Sequence, residues 1–180
     1  MRTAFVVLFG ALCACSKSAP EVTATNASVE DVARQVRAAT TEPAYMAPGK
    51  WTSKVTIVSM HVPGASAAEE GQMRGRVSDE RDYCLSPEEA KKPNENFFAG
   101  NQNECRYDRF TMGGGKIDAA MRCTHGTLTQ LVNFNGSYSP NSYQLAMDSK
   151  VVGGANDMSG MSMSMSVESK RIGECSAKSG

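Results

Sequence analysis

Three consecutive glycines, Gly113-Gly114-Gly115, stand midway between Cys105 and Cys123, and this arrangement limits what the chain can become. Glycine reaches positive φ at little steric cost, so the triplet predicts a tight turn between two antiparallel strands. With Gly114 at the centre, Thr111 faces Ile117, Arg109 faces Ala119, Tyr107 faces Met121 and Cys105 faces Cys123. Directly facing residues hold their β-carbons about 4.5–5.5 Å apart, and a modest adjustment from there reaches disulfide geometry. The register therefore predicts a Cys105–Cys123 bridge closing the open end of a hairpin.

Alternation with a period of two continues on both sides of this hairpin. Trp51, Val55 and Ile57 alternate with Thr52, Lys54 and Thr56, as in a half-buried strand that ends at His61-Val62-Pro63-Gly64. A Gly/Ala/Ser loop is expected next, and then a second strand from Gln72 to Cys84 with Met73, Gly75 and Val77 on one face. Its tail, Asp79-Glu80-Arg81-Asp82, is too charged for burial. Ser86, Pro87 and the carboxylates of Glu88 and Glu89 start a short helix, and 93–104 reads as loop. Beyond Cys123, Leu128, Val132, Phe134 and Tyr138 face Tyr143, Leu145 and Met147 across Ser139-Pro140-Asn141-Ser142. After a glycine-rich turn from Gly153 to Gly160, Met161, Met163, Met165 and Val167 share one face of the last strand, with serines on the other. The expected fold is mainly β: about seven short antiparallel strands forming a curved sheet or small barrel.

The N-terminal segment has a different character. Arg2 precedes a short apolar run, Ala4 to Leu12, far below the roughly 20 residues a membrane-spanning helix needs. A basic start, a short apolar centre and small residues at its end describe a secretory signal. Leu12-Cys13-Ala14-Cys15 resembles the lipobox of bacterial lipoproteins, which implies that Cys15 becomes the lipidated N-terminus and that 1–14 is a removed signal peptide. Ser16 in place of Asp implies, by the same resemblance, sorting to the outer membrane of a Gram-negative cell, on its periplasmic side. Residues 15–27 are small and polar and read as a flexible tether. Ser28 is placed as an N-cap with Asp31 three residues on. Val29, Val32, Ala33 and Val36 then make one helical stripe that stops near Ala39, so 28–45 is a short helix and linker before a β domain over 46–176.

Charge and cysteine content narrow the partners. The chain has 19 basic and 19 acidic residues; loss of Arg2 with the signal leaves a net charge near −1, which gives no field for nucleic acid or anionic lipid. The expected membrane contact is therefore the lipid itself. With Cys13 removed and Cys15 acylated, four cysteines remain, and an oxidising compartment pairs them. Once hairpin register assigns Cys105–Cys123, Cys84–Cys175 follows by elimination; the rival is Cys84–Cys105, which would close the intervening helix and loop.

Pro48-Gly49-Lys50-Trp51, Cys84-Leu85-Ser86-Pro87-Glu88 and Arg171-Ile172-Gly173-Glu174-Cys175, in this order and with the methionine-rich last strand, resemble the DUF3617 family of bacterial exported proteins and lipoproteins over about residues 46–175. Lys50 departs from the apolar residue usual between that Gly and Trp. The resemblance implies an exported domain of unknown function and carries over no catalytic residues.

Candidate chemistry is sparse. No GxSxG, HExxH or phosphate-cradling motif is present, and the triple glycine sits between strands rather than at a helix start. The expectation is a protein that is not an enzyme and needs no cofactor. Eleven methionines are the exception to an ordinary composition. Met161, Met163 and Met165 on one strand face could offer soft thioether ligands to Cu(I), with His61 and His125 unplaced. The simpler account is that an alternating strand needs an apolar core face, which Met fills well. Three readings follow: a structural or interaction module of the envelope, a carrier or sensor for an apolar ligand in a curved cavity, or a periplasmic Cu(I) protein.

Overall fold

The computed structural model describes residues 21–39, 46–91, 104–154 and 158–176. Cys15 and the signal peptide lie outside them, as does most of the loop expected over 93–104. Among the described residues, eight strands form a single antiparallel sheet: β1 (Val22–Ser28), β2 (Gly49–His61), β3 (Asp79–Leu85), β4 (Cys105–Gly113), β5 (Lys116–His125), β6 (Leu128–Ser139), β7 (Ser142–Gly153) and β8 (Ser162–Gly173). Their order across the sheet is β1-β4-β5-β6-β7-β8-β2-β3. The sheet stays open, with β1 and β3 at its edges, so the curved-sheet alternative holds and the barrel does not.

Three helices accompany the sheet: α1 (Val29–Ala39), α2 (Ala67–Val77) and α3 (Pro87–Lys91). The Asp31 amide donates to Ser28 Oγ at 3.0 Å, which caps α1 as its sequence requires. Its stripe of Val29, Val32, Ala33 and Val36 is buried, and α1 packs on β1 and β4. The core gathers here, from Tyr107, Phe110 and Met112 through Ile117, Ala119 and Met121 to Val132, Phe134 and Leu145.

Three expectations need correction. The tether read over 15–27 stops short, because β1 takes Val22–Ser28 and pairs with β4 from Val22↔Met112 to Ser28↔Arg106. This is the eighth strand. Its side chains are mostly small and polar, with only Val22 buried and Ala24 and Ala27 against the core, so its place comes mainly from backbone pairing with a strand about eighty positions away. The Gly/Ala/Ser loop and the first half of the expected second strand are instead α2. Ser66 caps it: its Oγ accepts from the Glu69 amide, while the Ser66 amide donates to Glu69 Oε2 at 2.8 Å. That Ser-x-x-Glu box was present in the sequence and outweighs the weak alternation of Met73, Gly75 and Val77. Only Asp79–Leu85 remains a strand, with its charged residues exposed on the sheet edge, where charge discourages edge-to-edge pairing.

The first hairpin forms with two compensating offsets. Its turn is Gly114-Gly115, with φ of +55° and +75°, so Met112 faces Ile117, Phe110 faces Ala119 and Arg109 faces Ala120. Each of these pairs differs by one from a register centred on Gly114. An extra residue at Asp108 then shifts the ladder back, restoring Tyr107↔Met121 and Cys105↔Cys123. Asp108 and Arg109 are consecutive exposed residues, the mark of a bulge. Two further bulges account for exposed apolar side chains: Val58 is the additional residue between Ile57↔Met165 and Ser59↔Ser164, and Ile172 between Lys50↔Gly173 and Trp51↔Arg171.

Candidate functional site

Both disulfides form, Cys105–Cys123 at a Cα separation of 4.0 Å and Cys84–Cys175 at 5.7 Å. Cys84–Cys175 fastens edge strand β3 to the segment after β8, and around it the three sequence motifs meet. Trp51 is fully buried and faces Tyr83 on β3 and Arg171 on β8. Its indole N–H donates to the Ala47 carbonyl at 3.0 Å, and its ring lies 6.2 Å from that of Tyr143. Arg171 Nε donates to the Pro48 carbonyl at 2.7 Å, while the Arg171 amide donates to the Asn141 carbonyl in the β6–β7 turn. Gly49 has φ +139°, and a β-carbon there would stand 2.5 Å from both Arg171 Nε and the Gly173 carbonyl oxygen. Only glycine fits.

Beside Trp51, Ser169 donates to Ser53 at 2.7 Å in a buried pair. Burial, and then the neighbouring Tyr143 phenol, push the Tyr83 hydroxyl well above its ordinary titration range. Burial does the same to Tyr107. Both phenols therefore remain neutral at physiological pH. The chemistry of this cluster is that of a clamp: hydrogen bonds, ring contact and a disulfide that lock strand ends together.

The methionines occupy another part of the sheet. Cross-strand pairing lays one continuous apolar row over seven strands: Ala24, Phe110, Ala119, Phe134, Met147, Met165 and Ile57. A neighbouring row runs Tyr107, Met121, Val132, Ser149, Met163 and Met60. At the α1 end these rows are sealed; at the β7–β8–β2 end Ile57 is still buried but the methionines beside it are not. Met60, Met147, Met163 and Met165 are all half-buried. Met163 and Met165 do share one face, as their spacing predicts, and Met161 continues it just before β8. Core filling describes Met147, which packs against the closed core together with Val167, but Met60, Met163 and Met165 lie outside that cluster. Met60 and Met147 belong to the same patch and are joined to it only by the strand register.

Neither histidine adjoins the patch. His61 points to the opposite face from Met60, and its Nδ1 lies 3.0 Å from Glu70 Oε1, which also accepts from the Val62 amide. That amide, first, and His61 hold the Glu70 carboxyl below the usual range and latch α2 to β2. His125, three strands away on β5, pairs with Glu104. Among the described residues, no group of three or more His, Cys, Asp or Glu side chains is placed to hold a metal ion.

The polar face carries a shallow groove of about 960 Å³, lined by Thr111, Lys116, Asp118, Asn135 and Gln144 among others. Ile117, Leu145 and Ala146 also line it, so the groove is mixed in character and open to solvent.

Fold and disulfides together define a class: a single-sheet antiparallel β protein stapled at both the first hairpin and the far edge. The chain matches the family model described as "Protein of unknown function (DUF3617)" over residues 46–175 and belongs to that family. No curated protein and no solved structure matches it. The family segment begins after α1, so β1, which extends the sheet beside β4, and α1, which packs on both strands, add apolar residues to the core from outside that segment.

Proposed function

We propose that the protein is a non-enzymatic binding module, anchored by lipid at Cys15 on the periplasmic side of the envelope, whose half-open methionine face is its recognition surface. The observation that carries this is the graded sheet: the same apolar rows are sealed beneath α1 and half-open at Met60, Met147, Met163 and Met165. Methionine is a common constituent of adaptable binding surfaces because its side chain is flexible and polarizable. Two disulfides suit an oxidising compartment. The absence of familiar catalytic motifs from the sequence favours binding over catalysis. An acyl-chain carrier is less well supported, since the groove on the described residues is wide open and of mixed lining rather than an enclosed apolar cavity.

Two results are expected. Wild-type protein should pellet with membranes and yield an N-terminal peptide bearing a lipid mass, whereas Cys15→Ser should move to the soluble fraction. A variant that still pellets, together with a wild type lacking lipid mass, would remove the anchor from the proposal. In a hydrogen peroxide time course followed by peptide mass mapping, Met60, Met147, Met163 and Met165 should reach sulfoxide before Met112 and Met121, which are only 7% and 5% exposed. Equal rates at all six would mean that no methionine face is open.

A further inference from the structure

We propose that Met60, Met147, Met163 and Met165 form a binding site for monovalent copper; this rests on the reading of the methionine face as a recognition surface and names its ligand. Met60 directly faces Met163, and Met147 directly faces Met165. Met163 and Met165 are two apart on β8, so they project from the same face. Four thioethers thus occupy adjacent grid positions on three neighbouring strands. Facing β-carbons lie about 4.5–5.5 Å apart, and three rotatable bonds per side chain allow the sulfurs to converge.

The surrounding positions settle the class of ion. Ile57, Val132, Phe134 and Val167 border the patch and offer no donor. Ser149 gives its hydroxyl to the Met163 carbonyl. The donor set is therefore sulfur without carboxylate, imidazole or thiolate, which suits a soft ion such as Cu(I) and disfavours Mg²⁺, Ca²⁺ and Zn²⁺. Half-burial matters as well. A cation in the sealed core would lose its hydration with no counter-charge, whereas at this end of the sheet water still reaches the face.

The test is a Cu(I) titration of the full-length protein in detergent, competing against the chromophoric chelator bicinchoninate. Ascorbate serves as reductant because it spares the disulfides. Wild type should take a single Cu(I) per chain. Met163→Leu/Met165→Leu should bind at least about tenfold more weakly, while Met112→Leu/Met121→Leu in the sealed core should match wild type. Affinity should also stay flat between about pH 5 and 8, because thioethers have no proton to lose, unlike histidine. If the double variant loses its cooperative unfolding transition, Met147→Leu on β7 provides the reading instead. No transfer from the chelator, undiminished binding by the Leu variants, or affinity that falls on acidification would each overturn the site. A protein that keeps its lipid anchor and its order of methionine oxidation but takes no Cu(I) removes copper alone. One whose methionines all oxidise at the same rate removes the recognition face itself.

Discussion

Trp51→Ala is expected to lower the free energy of unfolding by about 3–5 kcal/mol, the range for truncating a large buried aromatic. The indole is fully enclosed and sits between Tyr83 and Arg171, against Tyr143. Its removal opens a cavity at the junction of β2, β3 and β8 and leaves the Ala47 carbonyl without its donor. Against a total stability of about 5–15 kcal/mol for a domain, this is a severe loss. At roughly 2–4 °C per kcal/mol for a chain of this size, the melting temperature should fall by about 6–20 °C. Trp51→Phe should cost less, since it keeps ring contact and loses chiefly the N–H. Calorimetry of the three proteins decides the matter: an Ala variant within about 1 kcal/mol of wild type would mean that the clamp is loosely packed.

The two disulfides should differ in worth. Cys84–Cys175 spans 91 positions and Cys105–Cys123 spans 18. In the chain-entropy account, such loops correspond to about 4–5 and about 3 kcal/mol respectively. The longer bridge also secures β3, an edge strand paired to the sheet on one side by β2 alone. The shorter one joins strands that are already neighbours through a two-residue turn. Denaturant unfolding of Cys84→Ala/Cys175→Ala should therefore show the larger loss, and that of Cys105→Ala/Cys123→Ala the smaller. The reverse order would mean that burial of the Cys105 and Cys123 side chains, 2% and 3% exposed, outweighs loop entropy.

Much of this structure was legible wherever its cause is local. The α1 stripe, the Ser28 cap, the Pro140-Asn141 turn and the alternation on β2, β6 and β7 each depend on residues a few positions apart. The Cys105–Cys123 pairing was also correct, although through two offsets that cancel: a turn at Gly114-Gly115 and a bulge at Asp108. The helix at Ala67–Val77 was misjudged despite a local signal, because alternation was weighed above the Ser66–Glu69 cap. Val22–Ser28 could not have been found in this way. Its strand state belongs to the β4 edge rather than to its own side chains.

The sequence by itself determined which residues turn, which strands alternate, which cysteines face each other across the first hairpin and which family the chain belongs to, because turn geometry, side-chain period and motif order are properties of short segments. Only the tertiary structure decided that the sheet remains open, that Pro48–Trp51, Tyr83–Cys84 and Arg171–Cys175 converge on one clamp, and that Met60 and Met147 join Met163 and Met165. Those outcomes depend on inter-strand register, which is set by backbone hydrogen bonds between segments more than one hundred residues apart, as Trp51 and Arg171 are. One bulge, at Val58, brings Met60 onto the apolar face opposite Met163; without that extra residue, the same strand would turn Met60 to the polar side.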